Sequence, residues 1–148
     1  MKTIGLVSTV EQNLCFIDVD DIFASFPTKR DSENFLDYLN SRHPNIKFTV
    51  EHQANGKLPF LDVSVNNNSN LSTSIFHKKT YTGLLTNYFS FTSFSYKLGL
   101  IKTIVDRTYK INNTWSSFHT DLEKAKTILQ KNQYPKNLID KTEKFSQF

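Results

Sequence analysis

The strongest constraint on the fold of this 148-residue chain is an acidic link between two short apolar runs. Leu14–Asp18 is apolar enough for a buried strand, and Ile22–Phe26 reads as a second one. The link between them is short enough for a hairpin turn. Asp18, Asp20 and Asp21 repel one another at this spacing, so an apolar setting requires a partner that neutralises them. A divalent cation such as Mg²⁺ is the usual partner, because hard cations prefer carboxylate oxygens.

Length and composition favour an intracellular globular protein with one domain or two small subdomains. No apolar run approaches the roughly 20 residues that a membrane span requires. Met1–Val10 lacks the hydrophobic region of a signal peptide. The lone Cys15 indicates a reducing compartment without a disulfide framework. We therefore expect a nuclear or cytoplasmic protein that has no membrane partner.

Charge is distributed unevenly along the chain. Residues 1–74 carry six Lys or Arg against nine Asp or Glu, whereas residues 75–148 carry twelve against five. An acidic part that holds the aspartate cluster is thus followed by a basic part. This pattern is typical of a metal centre joined to a surface that grips a polyanion. A basic helical face that is simply solvated is the alternative interpretation.

Hydrophobic periodicity predicts a strand-rich front and a three-helix rear, and hence an α+β fold. In the front, a helix from Asp31 or Ser32 to about Ser41 interrupts the strands, and Asn55-Gly56 marks a turn. Further strands are predicted over three segments: Ile46–Val50, Leu58–Val65 and Leu71–Thr80.

The rear helices follow from a 3.6-residue apolar period after Thr82. Thr114 is the predicted N-cap of the second helix, and the tail from Lys141 is expected to be frayed. The domains are therefore 1–82, 83–140 and 141–148. The apolar positions that define the three helices are Leu98, Ile101, Val105 and Thr108; Trp115, Phe118, Leu122, Ala125 and Leu129; and Leu138 and Ile139.

The order of several motifs resembles that of known polymerases. Four of them are Val19–Ala24, Phe35–Asn40, Asn45–Thr49 and Gly56–Val63, and together they resemble reverse transcriptases of retroelements, closest to the Penelope-like group. Gly99–Thr103 and Asp106–Tyr109 resemble the helix-turn-helix domain that follows the palm in those proteins. The resemblance spans about Phe16 to Ile139.

The resemblance implies roles for particular parts of the chain. Asp20 and Asp21 match the paired aspartates of the polymerase palm, which bind Mg²⁺ in that family. Leu58–Val65 matches the hairpin that supports the primer end, and the antiparallel palm sheet carries one helix. The helices from about Phe94 to Ile139 match the thumb, whose partner is an RNA or DNA template–primer duplex.

The chain also departs from the family pattern. Asp18 occupies a position where the family has an aromatic residue, and only 17 residues precede it. These residues are too few to include the strand that bears the partner aspartate in that family. We therefore expect weak or vestigial Mg²⁺ binding and no polymerisation by this fragment alone. Two alternatives are an RNA-directed DNA polymerase completed by an upstream reverse-transcriptase fragment, and a structural remnant without a ligand.

A phosphatase is a third alternative, because Phe16–Asp20 also resembles the first motif of haloacid-dehalogenase-type phosphatases. In that family Asp18 would be the nucleophile and Asp20 the general acid/base. The predicted element order is wrong for a doubly wound sheet, which argues against it.

The predicted nucleic-acid contacts lie in the basic part of the chain. Phosphate contacts of this type are sequence-independent and sensitive to salt. The aromatic run Tyr88–Phe94 has two interpretations, which are stacking on unpaired bases and, as the favoured one, packing at the joint between sheet and helices. Trp115 is expected in the helical core. The candidate cations are Lys78, Lys79, Lys97, Lys102, Arg107 and Lys110.

Overall fold

A computed structural model of the protein describes residues 2–8, 15–19, 21–67 and 71–146. The chain forms two compact units, Met1–Leu71 and Ser72–Phe148. The first unit contains strands and one helix, and the second contains a short strand and three helices, which confirms the α+β class. The division lies earlier than the predicted boundary after residue 82, because the strand that begins at Ser72 is bonded to the helices that follow it.

The described elements of the first unit are β1 (Lys2–Ser8), β2 (Cys15–Asp18), β3 (Asp21–Phe26), α1 (Lys29–Arg42), β4 (Phe48–His52), β5 (Lys57–Phe60) and β6 (Val63–Asn66). Four of these strands form a sheet in the order β2-β3-β1-β4. β2 and β3 are antiparallel, as expected for the palm-like sheet, whereas β1 pairs in parallel with both β3 and β4. No pattern in the sequence predicted β1.

The acidic link forms the predicted hairpin turn. Asp18 and Asp21 face each other across the end of the β2–β3 ladder. Val19 has a φ of 50°, a region that disfavours a β-branched residue. The prediction that Leu14–Asp18 is buried is wrong for the described residues of this segment, because every residue of β2 is exposed. Leu14 itself lies outside the described residues.

The core of the first unit lies on both faces of β3. Ile22 and Ala24 pack with apolar side chains of α1 and β4. Phe23 points to the opposite face, where it packs with Leu58 and Val65 of the β5–β6 hairpin. Both faces are covered because alternate residues of a strand point to opposite sides of the sheet. This explains why β3 is almost entirely buried.

Helix α1 begins earlier than predicted. Thr28, rather than Asp31 or Ser32, is the N-cap, and its hydroxyl accepts a hydrogen bond from the Asp31 backbone N–H at 3.2 Å. Near the other end of the helix, the Asn40 side chain bonds both backbone groups of Phe48, donating at 3.2 Å and accepting at 2.8 Å. These bonds join α1 to strand β4, which is shifted from the predicted Ile46–Val50.

Leu58–Val65 forms a hairpin, as the resemblance implied, and not the single strand that the apolar pattern predicted. β5 and β6 are antiparallel, and the chain reverses at Leu61, which has a φ of 53°. Leu61 gives no turn signal of the Gly or Asn kind, so the sequence pattern missed the reversal. The predicted turn at Asn55-Gly56 is confirmed, with φ values of 52° and 70°.

The second unit packs three helices around one apolar core. The elements are β7 (Ser72–Ile75), α2 (Phe94–Ile111), α3 (Trp115–Lys131) and α4 (Lys136–Ser146). The three predicted helices are confirmed. The buried residues at the centre of the core are Ile101, Val105, Phe118, Leu122, Leu129, Tyr134 and Ile139.

Two details of this core differ from expectation. Trp115 is 71% exposed, so its placement in the core is wrong, because it is the first residue of α3 and projects from the helix end. Residues from Lys141 to Ser146 are helical, although a frayed tail was predicted. The buried Thr142 and an ion pair between Lys126 and Glu143 at 2.9 Å hold this last part of α4 in place.

Candidate nucleic-acid interface

The turn between α2 and α3 is fixed by local hydrogen bonds. Asn112 caps the end of α2 through its backbone N–H, which donates to the Thr108 carbonyl. Thr114 caps α3 as predicted, and its hydroxyl accepts from the Ser117 backbone N–H at 3.3 Å. The two helices therefore meet at a defined corner, as a helix-turn-helix arrangement requires.

Strand β7 is bonded to this corner. The Thr73 backbone N–H donates to the Asn113 side chain at 2.9 Å, and the Thr73 hydroxyl donates to the Ile111 carbonyl at 2.6 Å. The buried carboxylate of Asp121 accepts from the Ile75 backbone N–H at 2.8 Å and from Lys124 at 3.0 Å. Asp121 thus has a structural role, and the sequence analysis did not single it out.

A buried asparagine at the end of α3 holds the segment that leads into α2. The Asn132 side chain donates to the Gly83 and Ile128 carbonyls, both at 2.8 Å, and accepts from the Leu85 backbone N–H at 3.0 Å. Its backbone carbonyl accepts from the Tyr88 N–H at 3.0 Å. The segment from Gly83 to Tyr88 is therefore fixed against the helical core.

The predicted cations differ in how far they are already engaged. Lys78, Lys79, Lys102 and Lys110 are exposed, and within the described part of the chain none of them forms an ion pair. Arg107 is also exposed but has an interaction within the protein. These side chains are available to an anionic partner to different degrees, with the four lysines the most open.

Helix α3 contrasts with α2, because two of its lysines are paired with carboxylates. Lys126 lies 3.1 Å from Glu123 and 2.9 Å from Glu143. Burial lowers the pKa of Lys126, but its hydrogen bonds and charge interactions with these glutamates outweigh that effect, and the pKa is raised. Lys124 is paired with Asp121 at 3.0 Å. The open positive charge of the helix pair lies mainly on α2.

Lys97 has a structural function. Its Nζ atom donates to the Ser90 carbonyl at 2.8 Å and lies 5.4 Å from the centre of the Tyr88 ring. The side chain is half-buried, so only part of its hydrogen-bonding capacity is open. Its role as a nucleic-acid ligand stays a prediction.

The aromatic run is mostly exposed, which overturns the favoured packing interpretation for all but one of its rings. Phe89, Phe91 and Phe94 are 77%, 110% and 53% exposed. Tyr88 alone packs inward, 5.5 Å from the ring of Tyr134. Tyr134 is buried, and this burial raises the pKa of its hydroxyl.

The acidic turn of the first unit does not fit a complete Mg²⁺ site in its described part. Asp18 is exposed and Asp21 is half-buried, whereas Asp20 lies outside the described residues. Among the residues that the structure describes, no group of three or more His, Cys, Asp or Glu side chains is placed to hold a metal ion. Mg²⁺ requires a near-octahedral set of oxygens, and the described carboxylates of this turn, Asp18 and Asp21, are too few to supply it by themselves.

Comparison with known proteins finds a family likeness in the helical part of the chain. Residues 84–144 match the family model of the animal helix-turn-helix domain. This match spans α2, α3 and most of α4, and it supports the helix-turn-helix part of the resemblance. No curated protein and no solved structure matches the chain. The reverse-transcriptase part of the resemblance stays a prediction.

No helix among the described residues is both long enough and apolar enough to cross a bilayer.

Proposed function

We propose that the second unit binds nucleic acid by gripping backbone phosphates, independently of sequence. The observation that carries this proposal is a long stretch without negative charge. Between Asp62 and Asp106 the sequence contains no carboxylate, and it contains Lys78, Lys79 and Lys97 as well as Lys102. Residues 72–105 of the second unit therefore offer a polyanion cations and hydroxyl groups without a carboxylate of their own, and the exposed Asp106 lies one helical turn from both Lys102 and Lys110.

The helix-turn-helix match supports a nucleic-acid partner. By itself it does not show whether the protein contacts base edges or phosphates. A recognition helix in the major groove reads bases through a few side chains near its N-terminus. The first turn of α3 presents Trp115, Ser116 and Ser117 there, without a charged residue. The exposed lysines of the predicted set lie instead along α2 and before it, and further exposed lysines lie at the end of α3 and on α4. This distribution favours contacts with phosphates over contacts with base edges.

Binding to a DNA duplex, measured by fluorescence anisotropy at about 50 and 200 mM salt, tests the proposal. Replacing Lys102 and Lys110 by Glu should weaken binding and lower the slope of log affinity against log salt by roughly 2, about 1 for each lost phosphate contact. The matched control replaces the exposed Lys47 and Lys57 of the first unit by Glu, which changes net charge equally. It should leave the slope unchanged. Duplex binding that is absent at low salt, or indifferent to salt, contradicts the proposal.

We also propose that the chain derives from a retroelement reverse transcriptase of the Penelope-like group. Support comes from the order of elements: an acidic hairpin turn, a helix, a strand, a second hairpin, and then a helix-turn-helix unit. In this view Asp20 and Asp21 are vestigial metal ligands. The phosphatase alternative has less support, because the strand that ends at Asp18 belongs to an antiparallel hairpin.

Primer extension on an RNA template tests whether these aspartates are vestigial. The purified chain with Mg²⁺ and nucleotides should give no product, because Asp18 places a carboxylate where the family has an aromatic residue and so repels the nucleotide triphosphate. Adding an upstream fingers-and-palm fragment should restore extension if a split polymerase is the correct alternative. Replacing Asp21 by Asn in the mixture is the control for a direct role of the turn. Primer extension by the chain without the upstream fragment would contradict the proposal that the chain alone does not polymerise.

A further inference from the structure

We infer that four exposed rings before and within the first turn of α2 form a stacking surface for unpaired nucleotides, an inference that rests on the nucleic-acid binding proposed above. We call this surface the aromatic ridge. Its members are Phe89, Phe91, Phe94 and Tyr96, which are 77%, 110%, 53% and 74% exposed. Large apolar rings concentrated in one exposed segment point to an interaction site, because solitary exposed apolar residues are ordinary but clusters are not.

The segment that carries the ridge is anchored at its base. Tyr88 is bonded to the Asn132 carbonyl, and Ser90 is bonded to the Lys97 side chain at 2.8 Å. Asn87 closes a turn by accepting from the Phe89 N–H at 2.8 Å through its side chain and from the Ser90 N–H at 3.1 Å through its carbonyl. An anchored loop loses little further conformational entropy when a ligand binds.

The rings of the ridge have few aromatic neighbours. In the part of the chain that the structure describes, Phe91, Phe94 and Tyr96 make no contact with another aromatic ring. Phe89 contacts only Tyr88, edge to face, at 5.4 Å. Every base has a π-face, so rings of this kind accept bases without regard to sequence. A duplex keeps its bases stacked internally, so the ridge selects unpaired nucleotides.

A recess lies beside Tyr96, and its lining, although apolar in the larger part, carries several hydroxyl groups that suit the rest of a nucleotide. It has a volume of about 470 Å³, and Tyr96 and Lys97 line it. Its other polar lining comes from hydroxyl groups, which can bond sugar and phosphate oxygens. These belong to Thr86, Thr92, Ser95 and Thr103, together with the buried Tyr134.

Charge identifies nucleic acid rather than protein as the occupant. No carboxylate occurs between Asp62 and Asp106, and Lys97 and Lys102 flank the ridge on its C-terminal side. Rings interleaved with cations and hydroxyls, without acidic residues, are the composition of surfaces that bind single strands. A surface that binds a protein has no general need to lack carboxylates.

Fluorescence anisotropy with the whole chain tests the inference on three labelled probes of equal length: oligo(dT), an abasic strand of the same charge, and a blunt duplex. The chain should bind oligo(dT) about tenfold or more tightly than the abasic strand. Replacing Phe91 and Phe94 together by Ala should weaken oligo(dT) binding at least tenfold, or about 1.4 kcal/mol, and leave the abasic strand unaffected. The control Leu84→Ala removes another exposed apolar side chain, 82% exposed, and should change nothing.

A fluorescent reporter gives an independent readout. Trp115 is the sole tryptophan of the native chain. A double variant that combines Phe91→Trp with Trp115→Phe therefore has a single tryptophan, which lies on the ridge. Oligo(dT) should quench its emission by stacking, and the abasic strand should not.

Equal affinity for oligo(dT) and the abasic strand, unchanged by the ring substitutions, would overturn the stacking surface. If binding of both probes were sensitive to salt in that case, the proposed phosphate contacts would still be supported. Binding of no probe at low salt would refute both proposals. Concentration-dependent self-association, abolished by the ring substitutions and found without any preference for oligo(dT), would assign the ridge to contacts between copies of the chain and reject the inference.

Discussion

Replacing Leu129 by Ala should lower the free energy of unfolding of the helical unit by about 2–5 kcal/mol. Leu129 is fully buried at 0% exposure and lies in the core formed by α2, α3 and α4, with Ile101 and Ile139. Truncation removes buried methyl groups and leaves a cavity that the surrounding helices fill only in part. Urea unfolding followed by far-ultraviolet circular dichroism measures the change, since most helical residues lie in this unit.

Trp115→Ala is the matched comparison for this experiment. Both residues lie on α3 and were assigned to the same apolar face from the sequence, but Trp115 is 71% exposed. Its removal should change stability by only about 0.5 kcal/mol, as expected at a surface position. A similar loss of stability from both substitutions would show that Trp115 belongs to the core, as the apolar periodicity of α3 predicted.

Replacing Asn132 by Ala should destabilise the helical unit by roughly 2–4 kcal/mol, because a buried side chain with three hydrogen bonds is lost. The Leu85 N–H would lose its acceptor, and the Gly83 carbonyl would lose its donor. Both partners belong to the segment that leads into the aromatic ridge. Faster hydrogen exchange at Leu85 than in the native chain, measured by NMR, locates the damage.

Two variants sharpen this test. Asn132→Asp keeps an acceptor for the Leu85 N–H but places its second carboxylate oxygen against the Gly83 and Ile128 carbonyls in a buried site, so at neutral pH it should be no more stable than the Ala variant. Gln130→Ala, at an exposed position on the same helix, should have little effect. Unchanged exchange at Leu85 in Asn132→Ala would show that this segment does not depend on Asn132.

Local sequence signals predicted local structure well. The 3.6-residue apolar period located α2 and α3, and Thr114 was correctly predicted as a cap because its hydroxyl reaches the Ser117 N–H within the same turn. The hairpin at the acidic link also followed from a short polar link between apolar runs. Such features depend on residues that are close in sequence.

Features that depend on distant partners were not predictable in the same way. Asp121 and Asn132 accept hydrogen bonds from residues 46 and 47 positions earlier in the chain, so no local pattern marks them. The aromatic run was misread for a related reason: a dense set of Phe residues favours a core, and only the tertiary structure shows which rings have partners. Exposure of Lys102 and Lys110 was expected, but the engagement of Lys97 by Ser90 was not.

The position of β1 in its sheet has a consequence for the time at which the sheet can form. β1 precedes β3 and β4 in the chain yet lies between them, so it gains both neighbours only after residues as far as His52 are in place. Closing these long loops costs entropy before any pairing compensates for it. A nascent chain would therefore carry β1 with unpaired edges until His52 has been synthesised, and in that interval these edges are open to pairing with other chains.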